Sequence, residues 1–201
     1  MKLAVLQSLF YSFHSSLFHF LSVLFLSSTI YHLEMVPGPE LGQTRWGVWS
    51  SYVRCPLGKK VTGFRLKVEE EQGQGSDNTA LNGIQFNCQG DTTSGKMGFR
   101  LGTWTSWKTC NDDEYVTEFD LKGMKEVGSQ RDDYGATNVR IRCSGGDERV
   151  GDGLPVGQWV GYTSCPVGTF ICGGRALIEG KQGKRDDTAL NRLQMGCCKQ
   201  G

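Results

Sequence analysis

The chain has 201 residues, enough to bury a substantial core in one domain and still carry a leader. Its 28 glycines are about twice the ordinary usage of roughly 7%, a composition that favours turns and short strands over long helices. All 21 acidic residues and 21 of the 22 basic ones follow Leu33, so the body is close to neutral. With no basic patch, nucleic acid and anionic membrane are excluded as principal partners.

The first element is a leader. Residues 3–33 contain no Asp, Glu, Lys or Arg. Lys2 is a thin basic start, and Leu17–Leu26 is an apolar run of the length found in export signals. Ser27, Ser28 and Thr29 supply small side chains for cleavage. The stretch is also long enough to span a bilayer, which needs about 20 apolar residues, so a retained anchor is the alternative. His14, His19 and several serines dilute it, and a signal peptide over 1–33 is the preferred reading. Residues 34–45 follow as a linker, and 46–201 form a single domain.

That domain is a threefold repeat. Trp49, Trp104 and Trp159 recur every 55 positions, as do Cys55, Cys110 and Cys165, and a glycine stands two before each Trp (Gly47, Gly102, Gly157). Each copy therefore opens G-x-W-x5-C, with copies at about 46–100, 101–155 and 156–199. The copies also close alike. Thr79–Cys88 and Thr188–Cys197 share six of ten residues, and Gly135–Cys143 is a looser version. Inside each copy the apolar residues alternate: Phe64, Leu66, Val68; Phe119, Leu121; Ala176, Ile178. The last strand of each copy repeats the pattern with Ile84, Phe86, Cys88, then Val139, Ile141, Cys143, then Leu193, Met195, Cys197. Period two means strands, and one apolar face per strand means antiparallel sheets wet on one side. Three such sheets bury those faces by packing around a shared axis.

Eight cysteines, all after the leader and with no C-x2-C pair, point to disulfides in an oxidising compartment and away from zinc. Symmetry pairs Cys55 with Cys88 and Cys110 with Cys143, each 33 apart, and Cys165 with Cys197, 32 apart. Cys172 and Cys198 remain for each other. Because Cys197 and Cys198 are adjacent and can exchange partners, the pairing among Cys165, Cys172, Cys197 and Cys198 stays open.

The motifs G-x-W-x5-C-P, Val61–Glu69 and Asp77–Gly83, repeated at Cys165-Pro166 and Arg185–Asn191, resemble the vitelline membrane outer layer protein 1 family over about residues 43–199. The resemblance implies an all-β fold, a β-prism of three four-stranded Greek-key sheets around a pseudo-threefold axis, an architecture shared with some plant lectins. It also implies a secreted protein of an extracellular coat or matrix, with other coat proteins and glycans as partners and no stable membrane association once the leader is cut.

The residues set limits on chemistry. All three histidines (His14, His19, His32) lie in the leader, which removes Ser-His-Asp and Cys-His systems and His-based metal sites from the body. No catalytic residue, cofactor or metal is assigned. Carboxylates do recur at one place, in the loop before the last strand of each copy: Asp77 and Asn78, Asp132 and Asp133, Asp186 and Asp187. Turn closure through nearby backbone N–H groups is the simplest reading. Glycan binding through acceptors for sugar hydroxyls comes second. Third is a carbohydrate-active enzyme for amino-sugar transfer or hydrolysis, which needs two carboxyl groups about 5–9.5 Å apart. Trp49, Trp104 and Trp159 read as a core layer about the axis, and Trp46 and Trp107, which break the symmetry, as surface residues. N-x-S/T is absent, so no N-glycan is expected. Taken together these features favour a non-enzymatic coat protein with lectin-like glycan affinity.

Protein purified from a secreting cell is expected to lack the signal peptide, residues 1–33, and with it all three histidines. An intact mass that includes Met1, with the protein in the membrane pellet, would establish the anchored alternative.

Overall fold

The computed structural model describes residues 35–42, 44–70, 79–124, 134–180 and 188–199; the leader lies outside them. Among the described residues all regular structure is β, and no helix is long and apolar enough to cross a membrane. The first sheet consists of β4 (Val61–Val68), β5 (Leu81–Cys88) and β6 (Thr92–Gly98), with β7 (Thr103–Trp104) and β8 (Lys108–Thr109) both paired to the open side of β4. The second repeats it with β9 (Val116–Gly123), β10 (Ala136–Cys143), β11 (Glu148–Val150), β12 (Gln158–Trp159) and β13 (Thr163–Ser164).

In each sheet the two short segments are halves of one interrupted strand, so the sheet is four-stranded. Three hairpin-linked strands followed by a fourth that returns beside the first make a Greek key. The interruption has a local cause. Thr105, between β7 and β8, turns its hydroxyl inward, and Leu66 N–H donates to Thr105 Oγ1 at 3.1 Å while Thr105 N–H donates to Leu66 O.

The third sheet is assembled differently. It holds β14 (Thr169–Ile178) and β15 (Leu190–Lys199) from the end of the chain. From the start of the chain come β1 (Met35–Gly42), β2 (Val48–Trp49) and β3 (Val53–Arg54). β1 pairs with β15 from Met35 opposite Cys198 to Gly42 opposite Arg192. Residues 35–42 of the segment expected as a linker therefore form an edge strand. Two prolines and two glycines make this segment look unstructured, but Pro37 and Pro39 can be accommodated because β1 is an edge strand, and the register shifts between Pro37 and Glu40. The self-contained copies expected at 46–100, 101–155 and 156–199 need the same correction. The opening Trp segment of each copy completes the sheet of the preceding copy, and the first copy's segment completes the last sheet.

The alternating apolar residues face inward as the period requires. Phe64, Leu66, Ile84, Phe119, Leu121, Val139, Ile171 and Leu193 are all buried in one continuous core shared by the three sheets. Trp49, Trp104 and Trp159 do not join it. Each pairs across from an outward-facing neighbourhood, as Trp104 does opposite Lys67, and the three rings lie half-buried on the outer faces. Equivalence by spacing fixes a common position but not the face of the sheet.

Four disulfides link Cys55 to Cys88, Cys110 to Cys143, Cys165 to Cys197 and Cys172 to Cys198. The first three are internal to a sequence repeat but join different sheets. Cys55 follows β3 of the third sheet and Cys88 ends β5 of the first; Cys110 and Cys143 join first to second, and Cys165 and Cys197 second to third. The three sheets are thus covalently closed into a ring, while Cys172–Cys198 ties β14 to β15 within one sheet.

Two outcomes follow from this arrangement. Replacing Cys110 and Cys143 by Ala should lower the unfolding free energy by about 2–5 kcal/mol, the usual value for a native bridge in a secreted domain. A denaturant midpoint unchanged from the parent would show that the ring does not need that closure. Removing residues through Gly42 should bare the β15 edge and produce oligomers on gel filtration, since an unpaired edge templates pairing. A truncated protein that remains monomeric with the parent melting temperature would show β1 to be dispensable.

Candidate functional site

The six loop residues Asp77, Asn78, Asp132, Asp133, Asp186 and Asp187 lie outside the described residues. The roots of their loops are described, and they correspond in all three sheets. Glu69 N–H donates to Ala80 O at 2.9 Å, Met124 N–H to Gly135 O at 3.1 Å and Glu179 N–H to Ala189 O at 2.7 Å. The second and third roots touch, since a Cβ on Gly135 would stand 2.7 Å from Leu190 O.

Beneath two of the roots runs the same buried relay. Asn82 Nδ2 donates to Thr79 Oγ1 at 2.7 Å, and Thr79 in turn donates to Glu69. Asn191 Nδ2 donates to Thr188 Oγ1 at 2.7 Å, and Thr188 Oγ1 to Glu179 Oε2 at 2.6 Å. To seat the relay, Ala80 and Ala189 both take φ of 49°, a left-handed conformation that costs alanine energy. The repeated T-A-L-N motif is therefore the anchor of the loop and only partly a strand. Tyr134, Gly135, Ala136 and Thr137 replace it in the second sheet, where Thr137 Oγ1 donates instead to Val156 O at 2.7 Å. Asn191 Oδ1 accepts from Thr44, whereas the equivalent Asn82 Oδ1 is buried without a protein partner.

The outer faces carry a second threefold feature that spacing alone did not reveal. An arginine sits between two aromatic rings on every sheet. Arg65 lies 4.9 Å from the centre of Trp104 and 4.7 Å from Trp107. Arg140 lies 4.4 Å from Trp159 and 4.6 Å from Tyr162, and Arg175 4.6 Å from Trp49 and 4.9 Å from Tyr52. The signal in sequence is an aromatic three residues after each repeat Trp. Trp107 thus belongs to a symmetric set, while Trp46 is half exposed.

Each guanidinium also bonds the residue directly across the ladder. Arg65 donates to Gln85 Oε1 at 3.0 and 2.7 Å, and Arg175 Nε to Gln194 Oε1 at 2.8 Å. In the second sheet the pair is transposed: Asp120 stands where Arg65 would be, and Arg140 reaches it from the partner strand at 3.1 and 2.9 Å. Asp120 is fully buried and also accepts from Gly161 N–H at 2.8 Å. Next to it, burial and a hydrogen bond to Glu148 hold the Tyr162 hydroxyl protonated, with its pKa well above that of free tyrosine.

Between the first and second sheets opens a cleft of about 940 Å³, walled by Glu69, Glu70, Trp104, Ser106, Asp152 and their neighbours. A smaller cleft of about 440 Å³, near Lys59, Asp91 and Asp112, has charges of both signs on its walls. Among the described residues, the one grouping with metal-ligand atoms is Cys110, Glu114 and Cys143, and its two sulfurs are spent in a disulfide.

The transposed pair yields a direct test. Arg140→Gln should cost about 3 kcal/mol, because it leaves the Asp120 carboxylate buried without its cation. Adding Asp120→Arg should recover most of that loss by rebuilding the Arg–Gln arrangement of the other sheets. A double variant no more stable than Arg140→Gln would refute the equivalence of the two arrangements.

Comparison with known proteins agrees with this architecture. Residues 40–200 match the family described as vitelline membrane outer layer protein I (VOMI). A human protein named vitelline membrane outer layer protein 1 homolog is 37% identical over 161 residues, 77% of this chain and 78% of its own. Among solved structures, a single-chain recombinant jacalin superposes with a TM-score of 0.54 at 12% identity, over 86% of this chain and 98% of that one. Frutapin, a lectin from Artocarpus incisa, gives 0.54 at 9% identity, over 82% and 97%. At such low identity these two establish the fold alone, that of a jacalin-like β-prism. With the match extending from β1 to the end of β15, the chain belongs to the vitelline membrane outer layer protein I family.

Proposed function

We propose that this protein is a secreted, non-enzymatic structural component of an extracellular coat of the vitelline membrane outer layer type, with lectin-like affinity for glycans. The observation that carries the proposal is the covalently closed ring of three sheets in a member of that family. All eight cysteines are consumed in disulfides, a state suited to an oxidising exterior. Three inter-sheet bridges and a body without histidine suit endurance better than turnover. Coat proteins and glycans are the partners this role requires. The glycan affinity draws support from frutapin, a lectin of the same fold. Asp77, Asn78, Asp132, Asp133, Asp186 and Asp187 are assigned to glycan contact, as acceptors for sugar hydroxyls.

The test separates a scaffold from an enzyme. A catalytic carboxyl pair has two different jobs, so a single Asp→Asn change in it abolishes turnover. A carboxylate that only closes a turn or accepts from a hydroxyl is largely replaced by Asn. Asp77→Asn, Asp132→Asn and Asp186→Asn should each change stability by no more than about 1 kcal/mol, the worth of one ordinary hydrogen bond. Glycan binding should weaken in them, and the parent should neither hydrolyse nor transfer chitin-type oligomers. Turnover by the parent that a folded variant loses would replace this reading with that of a carbohydrate-active enzyme.

A further inference from the structure

The three outer faces share the stack of arginine between rings, but the charges around that stack differ. On the second sheet the outward ladder positions carry Glu118, Asp120 and Glu148 together with Lys122, Arg140 and Arg142, three charges of each sign. Arg140 spends every nitrogen of its guanidinium on carboxylates: Nε and Nη2 donate to Asp120 at 3.1 and 2.9 Å, and Nη1 to Glu148 at 3.4 Å. Glu118 holds Arg142 in the same way. On the third sheet Glu40 stands on the edge strand opposite Gln194 and engages Arg192.

The first sheet lacks this balance. Its outward ladder positions hold Arg65 and Lys67 on β4 and Lys96 on β6, and no carboxylate. Lys96 stands opposite Gln85, where the third sheet has Glu40 and the second Val150. Among the described residues none of these three cations forms an ion pair. Arg65 donates from Nε and Nη2 to the neutral amide oxygen of Gln85, and its Nη1 has no acceptor. Lys67 Nζ meets the carbonyls of Phe99 and Arg100 at 3.3 and 2.6 Å. All three gather at one ring: Arg65 lies 4.9 Å from the centre of Trp104, Lys96 Nζ 5.6 Å, and Lys67 pairs with Trp104 across the ladder. Glu69, Glu70 and Asp152 share a cleft wall with Trp104 on the side of the second sheet, where Asp152 is held by Lys108 at 2.7 Å and Glu69 accepts from Thr79.

Like charges held this close repel, and attraction to the ring offsets only part of that cost. An anion set among them relieves it. Arginine's fork and the compact lysine ammonium both suit oxyanions, as charge-assisted hydrogen bonds. Trp104 and Trp107 are only partly buried and add apolar surface, which suits the C–H face of a pyranose. From β4 to β6 is two strand spacings, about 10 Å, so one chain can meet all three charges. We infer that the outer face of the first sheet, around Trp104, is a binding site for sulfated glycan chains, one per molecule. The site is separate from the loop aspartates and does not depend on them. Lys96 is distant in sequence from Arg65 and Lys67, and only the ladder brings the three together.

The experiment titrates the full disulfide-bonded body with a heparin octasaccharide, its desulfated counterpart and hexaglutamate. Lys96→Glu installs the residue that the third sheet has at that position, on an exposed side chain that leaves the core untouched. Lys67→Gln removes a second charge, and Lys122→Gln makes the same change at the equivalent position of the second sheet, opposite Trp159. The parent should bind the sulfated chain at least tenfold more tightly than the desulfated one. Binding should fall at least tenfold in Lys96→Glu and several-fold in Lys67→Gln, and less than twofold in Lys122→Gln. Asp77→Asn should leave it unchanged, so the loop reading and this site can fail separately. Raising the salt from about 0.05 M to about 0.5 M should weaken it markedly, because exposed charges are screened. Equal losses in Lys67→Gln and Lys122→Gln would reduce the effect to net charge and overturn the site. Equal affinity for sulfated and desulfated chains, or no binding of either, would overturn it too. Hexaglutamate bound as tightly as the octasaccharide would make the face a seat for acidic peptides and end the proposal.

Discussion

The apolar inner faces of three sheets can be kept from water only if the sheets close around one another, and closure here depends on borrowed strands. Each sheet takes its fourth strand from the copy that follows in the chain, and the last sheet takes three segments from the beginning. No copy holds a complete sheet, so no copy can bury Phe64, Phe119 or Ile171 alone. The three inter-sheet disulfides repeat this dependence in covalent form. Chain entropy assigns a loop of some 33 residues about 4 kcal/mol of stabilisation per bridge. The unit of stability is therefore the ring, although the unit of sequence is the repeat.

Outside the core, pseudo-symmetry is kept at the level of interactions more than of residues. Every sheet places a guanidinium between two rings and gives it an acceptor across the ladder. Two sheets use Arg and Gln, and the second uses Arg and Asp with the strands exchanged. The cation lies over the same ring pair in each case because the two ladder positions are directly opposite and both point outward. Such stacks cover the repeat tryptophans on one side and hold the interrupted strand against its neighbour.

The fold was legible because its signals are local and repeated. The alternation at Phe64 and Leu66, and again at Phe119 and Leu121, records strand and inner face together, and the 55-residue interval records the number of sheets. The sites of error are equally physical. Trp49, Trp104 and Trp159 repeat faithfully, but an interval carries no information about which face a ring occupies, and the aromatic at Tyr52, Trp107 and Tyr162 was the overlooked clue. Met35–Gly42 looks like a linker because proline and glycine weaken a strand, except at an edge that donates few ladder bonds. The left-handed turns at Ala80 and Ala189 were hidden, since alanine rarely adopts that conformation and only the buried Thr–Glu–Asn relay requires it.

The position of β1 also sets an order of events as the chain is made. Met35–Gly42 is the first part of the body to leave the ribosome, yet its partner β15 is nearly the last. The earliest strand therefore has no partner in its sheet until the last strand of the domain has been made. Cys197 and Cys198 arrive with that final strand, so the bridges to Cys165 and Cys172 close last. Until then Cys165 and Cys172 lack their partners and the third sheet keeps an open edge, so the ring cannot close while any of its repeats is missing.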